Sequence, residues 1–366
     1  MDLLKTYSNH KKVFPTLSTV YFFPCLLSVL YCLLLLSSCA RAPVKDTEIV
    51  WPLPPEAPRI KYIKSISTAR DIEKVSWVKK IFEGLIGKDT TAGLVKPYGV
   101  HVDKDGRIFV ADSGWRKVLI FDVKKNDFSI LGIDGKGELS KPQGVTTDSS
   151  GKIYVTDTAQ RRAVVYDREG KFLFAMGGAG RFGRPVGIAV NDRDGRIYIV
   201  DTKKHNVSVF DIKGVFLFEF GKRGINDGEF NFPTNIFADK EGKIYVMDTF
   251  NFRVQVFDQD GNFLLKFGGV GRGFGQFSKP KGIAVNSEGH IYVTDAAFSN
   301  VQIFDQKGRL LLFFGGFGTG AGQLYLPAGL YIDQNDRIYV ADQYNRRINI
   351  YEYLKERKEG LKKGGS

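Results

Sequence analysis

An all-β, six-bladed β-propeller of four-stranded antiparallel blades is what this 366-residue chain predicts, on three observations. First, the segment Gly106-Arg-Ile-Phe-Val-Ala-Asp112 returns five times, ending at Asp157, Asp201, Asp248, Asp295 and Asp342. These aspartates stand 45, 44, 47, 47 and 47 residues apart, and a period of that size marks an array of equal supersecondary units. Second, the runs inside each unit are β-branched and aromatic, alternate with period two and are separated by Asp-Gly or Lys-Gly turns, which is strand chemistry. Third, one four-stranded sheet cannot bury both of its faces alone, whereas six packed face to face around an axis can, leaving only short edges open.

The elements follow in chain order. Residues 1–38 carry Lys5, Lys11 and Lys12, then an apolar run from about Tyr21 to Leu36, then Leu36-Ser-Ser-Cys39. Basic, apolar, then small residues is the layout of an export signal. The last four residues resemble a bacterial lipobox, which implies that Cys39 becomes the lipid-acylated first residue of the mature chain. An uncleaved transmembrane anchor is the alternative, since the apolar stretch is long enough to span. Pro15, Pro24 and the small residues before Cys39 favour cleavage. Either way the rest of the chain is expected in the cell envelope, outside the cytoplasm and tied to a membrane. Ala40, in place of Asp, resembles outer-membrane sorting. The three cysteines are Cys25, Cys32 and Cys39, so the mature chain could form no internal disulfide. Stability must come from cores between blades.

Residues 39–57 read as a proline-rich tether. Next comes a strand-like piece, Arg59-Ile-Lys-Tyr-Ile-Lys-Ser-Ile66, that belongs to no complete unit. The sixth unit, in turn, lacks a fourth strand: after Arg347-Ile-Asn-Ile-Tyr351 the chain passes into the basic tail 355–366. Residues 58–66 are therefore predicted to fill that place and close the ring, because an unpaired sheet edge is an aggregation liability. Within 71–87, Val75, Val78, Phe82 and Leu85 share a helical face and Gly87 can end the helix, so one short helix is expected against the propeller. The six repeats run from 96 to 352 and the propeller from 58 to 354.

Repetition separates scaffold from function. Asp112, Asp157, Asp201, Asp248, Asp295 and Asp342 recur in every unit and are read as structural. Lys117, Arg162, Arg253 and Arg347 each follow one of them by five residues and are expected to tie to it across the strands. One place earlier, Arg116, Arg161 and Arg346 alternate with His205, Phe252 and Ser299, so the scaffold does not require them. The loops after the second strand and the starts of the first strands open on one face, around the channel. They supply the ligand-binding candidates Tyr98, Trp115, Arg116, Arg161, His205, Phe252, Lys281, Tyr344 and Arg346. This aromatic and cationic set suits stacking and bidentate contact with an anionic or ring-bearing surface. It suits a hard cation poorly, for want of carboxylates.

Gly269-Val-Gly-Arg-Gly-Phe-Gly275 and Gly316-Phe-Gly-Thr-Gly-Ala-Gly322 have Gly-x-Gly spacing, but no helix follows to cradle a phosphate, so they read as connections between blades. Asn235 replaces the Gly of the Pro-x-Gly start, and is expected to hold a left-handed turn there. Formal net charge is +13. Such charge speaks of partners rather than fold. A protein or an anionic glycan is the expected partner, besides the membrane reached through the N-terminal lipid; nucleic acid is disfavoured by the export signal.

The pattern Lys/Arg-Pro-x-Gly-Val/Ile-x-x-Asp, Gly-x-Ile-Tyr-Val-x-Asp, Arg-Val-Gln-Val-Phe-Asp, Gly-x-Phe-Leu resembles the NHL repeat over 96–352. The stretch Val50-Trp-Pro-Leu-Pro-Pro-Glu-Ala-Pro-Arg-Ile60 is similar to the leading segment of bacterial six-bladed NHL lipoproteins. The resemblance implies the propeller fold, while NHL propellers serve RNA binding, protein binding, sensing and lyase chemistry alike. Peptide-amidating lyases of similar fold hold zinc with histidines, and zinc needs about three protein ligands in one place. His10, His101, His205 and His290 do not fall at equivalent positions. Lactonase-like propellers hold calcium with channel carboxylates and Asn. Here Asp103, Asp148, Asp239 and Asp333, with Asn191 and Asn286, recur beside tight turns and read as turn caps. No catalytic residue, metal ligand or cofactor is assigned. The expected protein is a monomeric, membrane-tethered, non-catalytic binding or scaffold module for a protein, polysaccharide or other anionic ligand at the channel face. The alternative is a propeller metalloenzyme resembling peptidyl-amidoglycolate lyase or lactonase.

Overall fold

The computed structural model describes residues 48–72, 93–178 and 180–355. The chain divides into two units, Met1–Thr47 and Glu48–Ser366. The first unit, with the signal and Cys39, lies outside the described residues, as do nearly all of the 71–87 helix segment and the tail after 355.

Six antiparallel sheets follow one another along the chain, five of four strands and one of five. Each first strand packs beside the first strands of the blades before and after it, from blade 1 round to blade 6 and back to blade 1, so the sheets close into a ring. The expected six-bladed, all-β architecture is what the chain adopts. In blade 4 the strands are Asn235–Ala238, Ile244–Asp248, Arg253–Phe257 and Phe263–Gly268. Helical structure among the described residues is confined to three-residue 3-10 turns at Ala69–Asp71, Gly135–Gly137 and Thr249–Asn251.

Cores form between blades because each strand offers apolar side chains to both faces. Val100, Val110, Leu119 and Phe121 of blade 1 meet Tyr339, Ala341, Ile348 and Ile350 of blade 6, with Ile66 among them. Ile66 belongs to Ile60–Ile66, which pairs antiparallel with Arg347–Tyr353 and stands as the fourth strand of blade 6. Val50–Trp51 adds a fifth strand outside it. The N-terminal part of the described chain thus completes the last blade, and two fully buried isoleucines, Ile60 and Ile66, anchor it.

The Pro-x-Gly starts are shaped by crowding at the axis. A Cβ on Gly99 would lie 2.3 Å from the Gln143 carbonyl oxygen, and one on Gly329 would lie 2.3 Å from the Tyr98 carbonyl oxygen. Neither glycine has a positive φ. Glycine is present because neighbouring backbones approach closely, not because the turn is left-handed. Asn235 likewise has no positive φ, which corrects the expectation of a left-handed turn. Blade 4 accepts Asn because its first two strands pair without the register shift that follows the proline in blades 1, 2, 3, 5 and 6.

Candidate functional site at the channel mouth

The repeated aspartates organise the upper face. All six are fully buried. In blades 1, 2, 3 and 5 the carboxylate accepts backbone N–H groups from two directions. Asp112, for example, accepts from Val95 and Lys96, at the start of the blade, and from Gly114 and Trp115 in its own loop. Asp157, Asp201 and Asp295 repeat this arrangement. Each aspartate therefore clamps the start of a first strand to the loop after the second strand.

Blades 4 and 6 do this differently. Asp248 accepts from Arg253 Nε at 2.9 Å and from Asn251 and Gln255, and Asp342 accepts from Arg347 Nε at 2.9 Å and from Asn345 and Asn349. Burial holds both carboxyls above the usual range, against the pull of the hydrogen bonds and arginines. The expected ties are thus present at Arg253 and Arg347 and absent at the other two positions. Arg162 donates to the Glu138 carbonyl and Lys117 to the Leu139 carbonyl. The reason is occupancy: backbone N–H groups already fill Asp157 and Asp112.

Just after these clamps, Arg116, Arg161, His205, Phe252, Ser299 and Arg346 all sit at φ between 53° and 60°. A Cβ costs roughly 1 kcal/mol in that conformation, and none of the six is glycine or asparagine. Their side chains divide into two groups. His205 is only 7% exposed, and its Nδ1 accepts the Phe232 N–H; Ser299 is buried, and Phe252 packs on the core between blades 4 and 5. Arg116, Arg161 and Arg346 are exposed, and belong to three consecutive blades, 1, 2 and 6. Trp115, whose Nε1 donates to the Gly93 carbonyl, and Tyr344, whose ring centre lies 4.0 Å from that of Tyr325 at a 40° tilt, are exposed beside them. The nine sequence candidates therefore do not form one patch: His205 and Phe252 serve the fold.

Tyr98 and Lys281 meet across the mouth. Lys281 is the second residue of the first strand of blade 5 and Tyr98 the second of that of blade 1, yet the Lys281 ammonium lies 5.8 Å from the centre of the Tyr98 ring, reaching past blade 6, where the equivalent residue is the small Ala328. The Lys281 ammonium has no hydrogen-bond or ion-pair partner among the described residues. Burial, then the charges of Lys279 and Lys96, bring its pKa down to about 8. Burial pushes Tyr98 up to about 12, opposed by the charge of Arg184. Four cations, Lys96, Lys279, Lys281 and Arg184, thus bear on one mouth, and none of them forms an ion pair among the described residues.

Below the mouth the first strands enclose a cavity of about 210 Å³, lined among others by Tyr98, His101, Gln143, Thr147, Thr234 and Tyr331. His101 Nε2 stands 2.8 Å from the Thr147 hydroxyl and accepts the Thr147 N–H, and burial brings its pKa down to about 3, so the ring is neutral. His205 lies in an upper loop of blade 3 and His290 in a lower turn of blade 5. Among the described residues no three His, Cys, Asp or Glu side chains cluster so as to hold a metal ion. Asp148, Asp239 and Asp333 each accept the backbone N–H four residues on and a tyrosine hydroxyl. Also among the described residues, no helix is long and apolar enough to cross a membrane.

Against known proteins, the sequence profile of the NHL repeat matches residues 182–210 and 277–304. No curated protein matches the chain by sequence. Among solved structures, a virginiamycin B lyase from Staphylococcus aureus is similar with a TM-score of 0.54 at 14% identity, over 71% of this chain and 96% of that one. A gluconolactonase from Xanthomonas campestris is similar with a TM-score of 0.56 at 18% identity, over 71% of this chain and 87% of that one. An auxiliary nutrient binding protein from Bacteroides thetaiotaomicron is similar with a TM-score of 0.55 at 16% identity, over 72% of this chain and 70% of that one. At such identities the likeness concerns fold alone, and with the repeat match and the ring of six sheets it gives one conclusion: the chain is a six-bladed β-propeller carrying NHL repeats.

Proposed function

We propose that this propeller is a membrane-tethered, non-catalytic binding module of the cell envelope, and that it recognises the anionic groups of a protein or glycan at the channel mouth. The observation that carries the reading is Lys281, a half-buried ammonium with no anionic partner among the described residues, crowded by Lys96 and Lys279. A chain that folds around an uncompensated cation retains a cost that an incoming carboxylate, sulfate or phosphate group would relieve. The exposed Arg116, Arg161 and Arg346 on neighbouring blades extend the cationic surface outward, and their guanidinium forks suit bidentate contact. The tether part rests on the signal-like residues 1–38 and Cys39.

Titration with a labelled oligoglutamate peptide tests the recognition. The wild-type chain is expected to bind with an affinity that falls as salt rises. Lys281→Met, and the pair Arg161→Glu with Arg346→Glu, should each lose on the order of tenfold in affinity. Lys171→Glu with Lys307→Glu makes the same change of charge in exposed turns at the opposite end of the blades, and should leave binding nearly intact. Equal losses from both charge-reversed pairs, or none from either, would mean general basicity and no site. Stoichiometric metal in the purified protein would turn the reading towards a propeller metalloenzyme.

A further inference from the structure

Comparison of equivalent places around the ring isolates one that departs from its neighbours. In blades 3, 4 and 5 the loop arriving from the previous blade meets a residue on the solvent side of the outer strand. In blade 3 the contact is an ion pair, Arg181 Nη1 to Glu219 Oε2 at 3.7 Å. In blade 4 it is an ion pair of reversed polarity, Asp227 Oδ1 to Lys266 Nζ at 2.5 Å. In blade 5 it is two phenylalanines, Phe274 and Phe313, stacked with ring centres 6.5 Å apart at 30°. Phe274 follows Asp227 by 47 residues and Phe313 follows Lys266 by 47, the same spacing that separates Asp248 from Asp295.

This aromatic pair is displayed rather than buried. Phe274 is 86% exposed and Phe313 48%. Leu311, two residues before Phe313 on the same strand face, is exposed as well, and Val270 and Phe317 stand out from this and the next loop. The loop is firmly built: Gln276 Oε1 accepts the Gly273 N–H at 2.7 Å, and Phe277 is wholly buried between blades. The glycines are needed for that cap, since a Cβ on Gly271 would lie 2.0 Å from Gln276 Oε1. An exposed ion pair contributes little stability, so replacing it with two large apolar rings gains the fold little and leaves an adhesive surface.

Charge and chain path indicate what covers it. Residues 268–279 and 310–326 carry Arg272 and Lys279 and no carboxylate. Aromatic rings flanked by cations without acids match the interface of an anionic bilayer. The described chain also begins close by. Ile49 and Trp51 pack at the outer edge of blade 6 against Gly322 of the following loop, where a Cβ would lie 2.8 Å from Trp51 and 3.2 Å from Ile49. Trp51 also lies 5.9 Å from Phe314, the residue after Phe313. The described chain therefore enters the propeller on this side of the ring.

We propose that the rim centred on Phe274 and Phe313 is a docking surface for an anionic phospholipid bilayer, on which the propeller leans its blade 5 edge. The proposal rests on the membrane-tether part of the function above. Its test is hydrogen exchange of the full chain reconstituted with vesicles of phosphatidylglycerol and phosphatidylcholine. Peptides covering 268–279 and 310–317 should exchange on the order of tenfold more slowly than in vesicles of phosphatidylcholine alone. Phe274→Asp with Phe313→Lys installs the ion pair that blade 4 already uses, so this variant should melt like the wild type and lose the protection. A chain that floats with the vesicles while these peptides exchange as in solution overturns the rim contact alone. A chain that does not float overturns the tether reading too. Protection that appears without lipid as protein concentration rises means a second copy covers the rim, and also overturns the proposal.

Discussion

Replacing Lys281 with methionine should stabilise the protein at neutral pH, although it removes a charge from a basic surface and no apolar neighbour calls for it. In the native chain the Lys281 pKa stands at about 8 against an ordinary 10.5. The unfolded chain therefore binds more protons between those two values, and wild-type stability rises with pH across that window. Below about pH 8 the full cost of holding a half-buried ammonium is present; above about 10.5 it is gone. At roughly 1.4 kcal/mol per pH unit the shift sets a ceiling of about 3.5 kcal/mol, and water reaching the ammonium reduces the expected gain to about 1–2 kcal/mol. Methionine is one heavy atom shorter, keeps an unbranched apolar stem in place of the lysine's and removes the ammonium that faces the Tyr98 ring. The assay is urea denaturation of both chains at pH 7 and at pH 10.5. Lys281→Met should have the higher midpoint at pH 7 with unchanged slope, and the gap should close at the alkaline end. A variant less stable than wild type at pH 7, or a gap indifferent to pH, would show that Lys281 is not held at a cost.

Two further perturbations test the scaffold. Arg253→Ala strips a fully buried carboxylate of its guanidinium and should cost about 3–5 kcal/mol, whereas Arg162→Ala removes one bond to a carbonyl and should cost about 1 kcal/mol; equal losses in chemical denaturation would contradict the division of the blades into two kinds. Removing residues 48–66 takes away the fourth strand of blade 6 together with the buried Ile60 and Ile66, at about 5 kcal/mol from those two side chains alone. That truncated chain should aggregate and lose its single sharp melting transition, and a melt like that of the full chain would refute ring closure by this strand.

The blades were legible because their signals are local. Gly242-Lys-Ile-Tyr-Val-Met-Asp248 shows its turn, its period and its buried face within seven residues. The role of the aspartates was not, since Asp112 serves N–H groups of Val95 and Lys96, 17 and 16 residues upstream, and nothing near the aspartate announces them. A five-residue spacing to arginine or lysine suggested a tie in four blades, and competition for the same carboxylate leaves it in two. The glycines of the Pro-x-Gly starts were recognisable as special, but crowding by a neighbouring blade cannot be told from a left-handed turn without coordinates. At the candidate site the sequence picked out Arg116, Arg161 and Arg346 because the units differ there, and these are exposed. It could not separate them from His205, whose equivalent position points a ring into the fold. The Lys281 and Tyr98 pairing joins blades that are not neighbours, and becomes visible only once the ring is closed. Phe274 and Phe313 were within reach of the sequence by laying one 47-residue unit over the next, but only the contact between Asp227 and Lys266 gives the substitution its meaning.

Anion recognition at the mouth is tested most directly on the proton that reports it. The pKa of Lys281 can be followed by nuclear magnetic resonance of the chain with isotope-labelled lysine, assigned by comparison with Lys281→Met, first alone and then saturated with the oligoglutamate peptide. Recognition at the mouth predicts a value near 8 in the free protein and a rise towards 10.5 when carboxylates arrive beside the ammonium. A peptide that binds while the Lys281 pKa stays where it was would place recognition elsewhere and contradict the assignment.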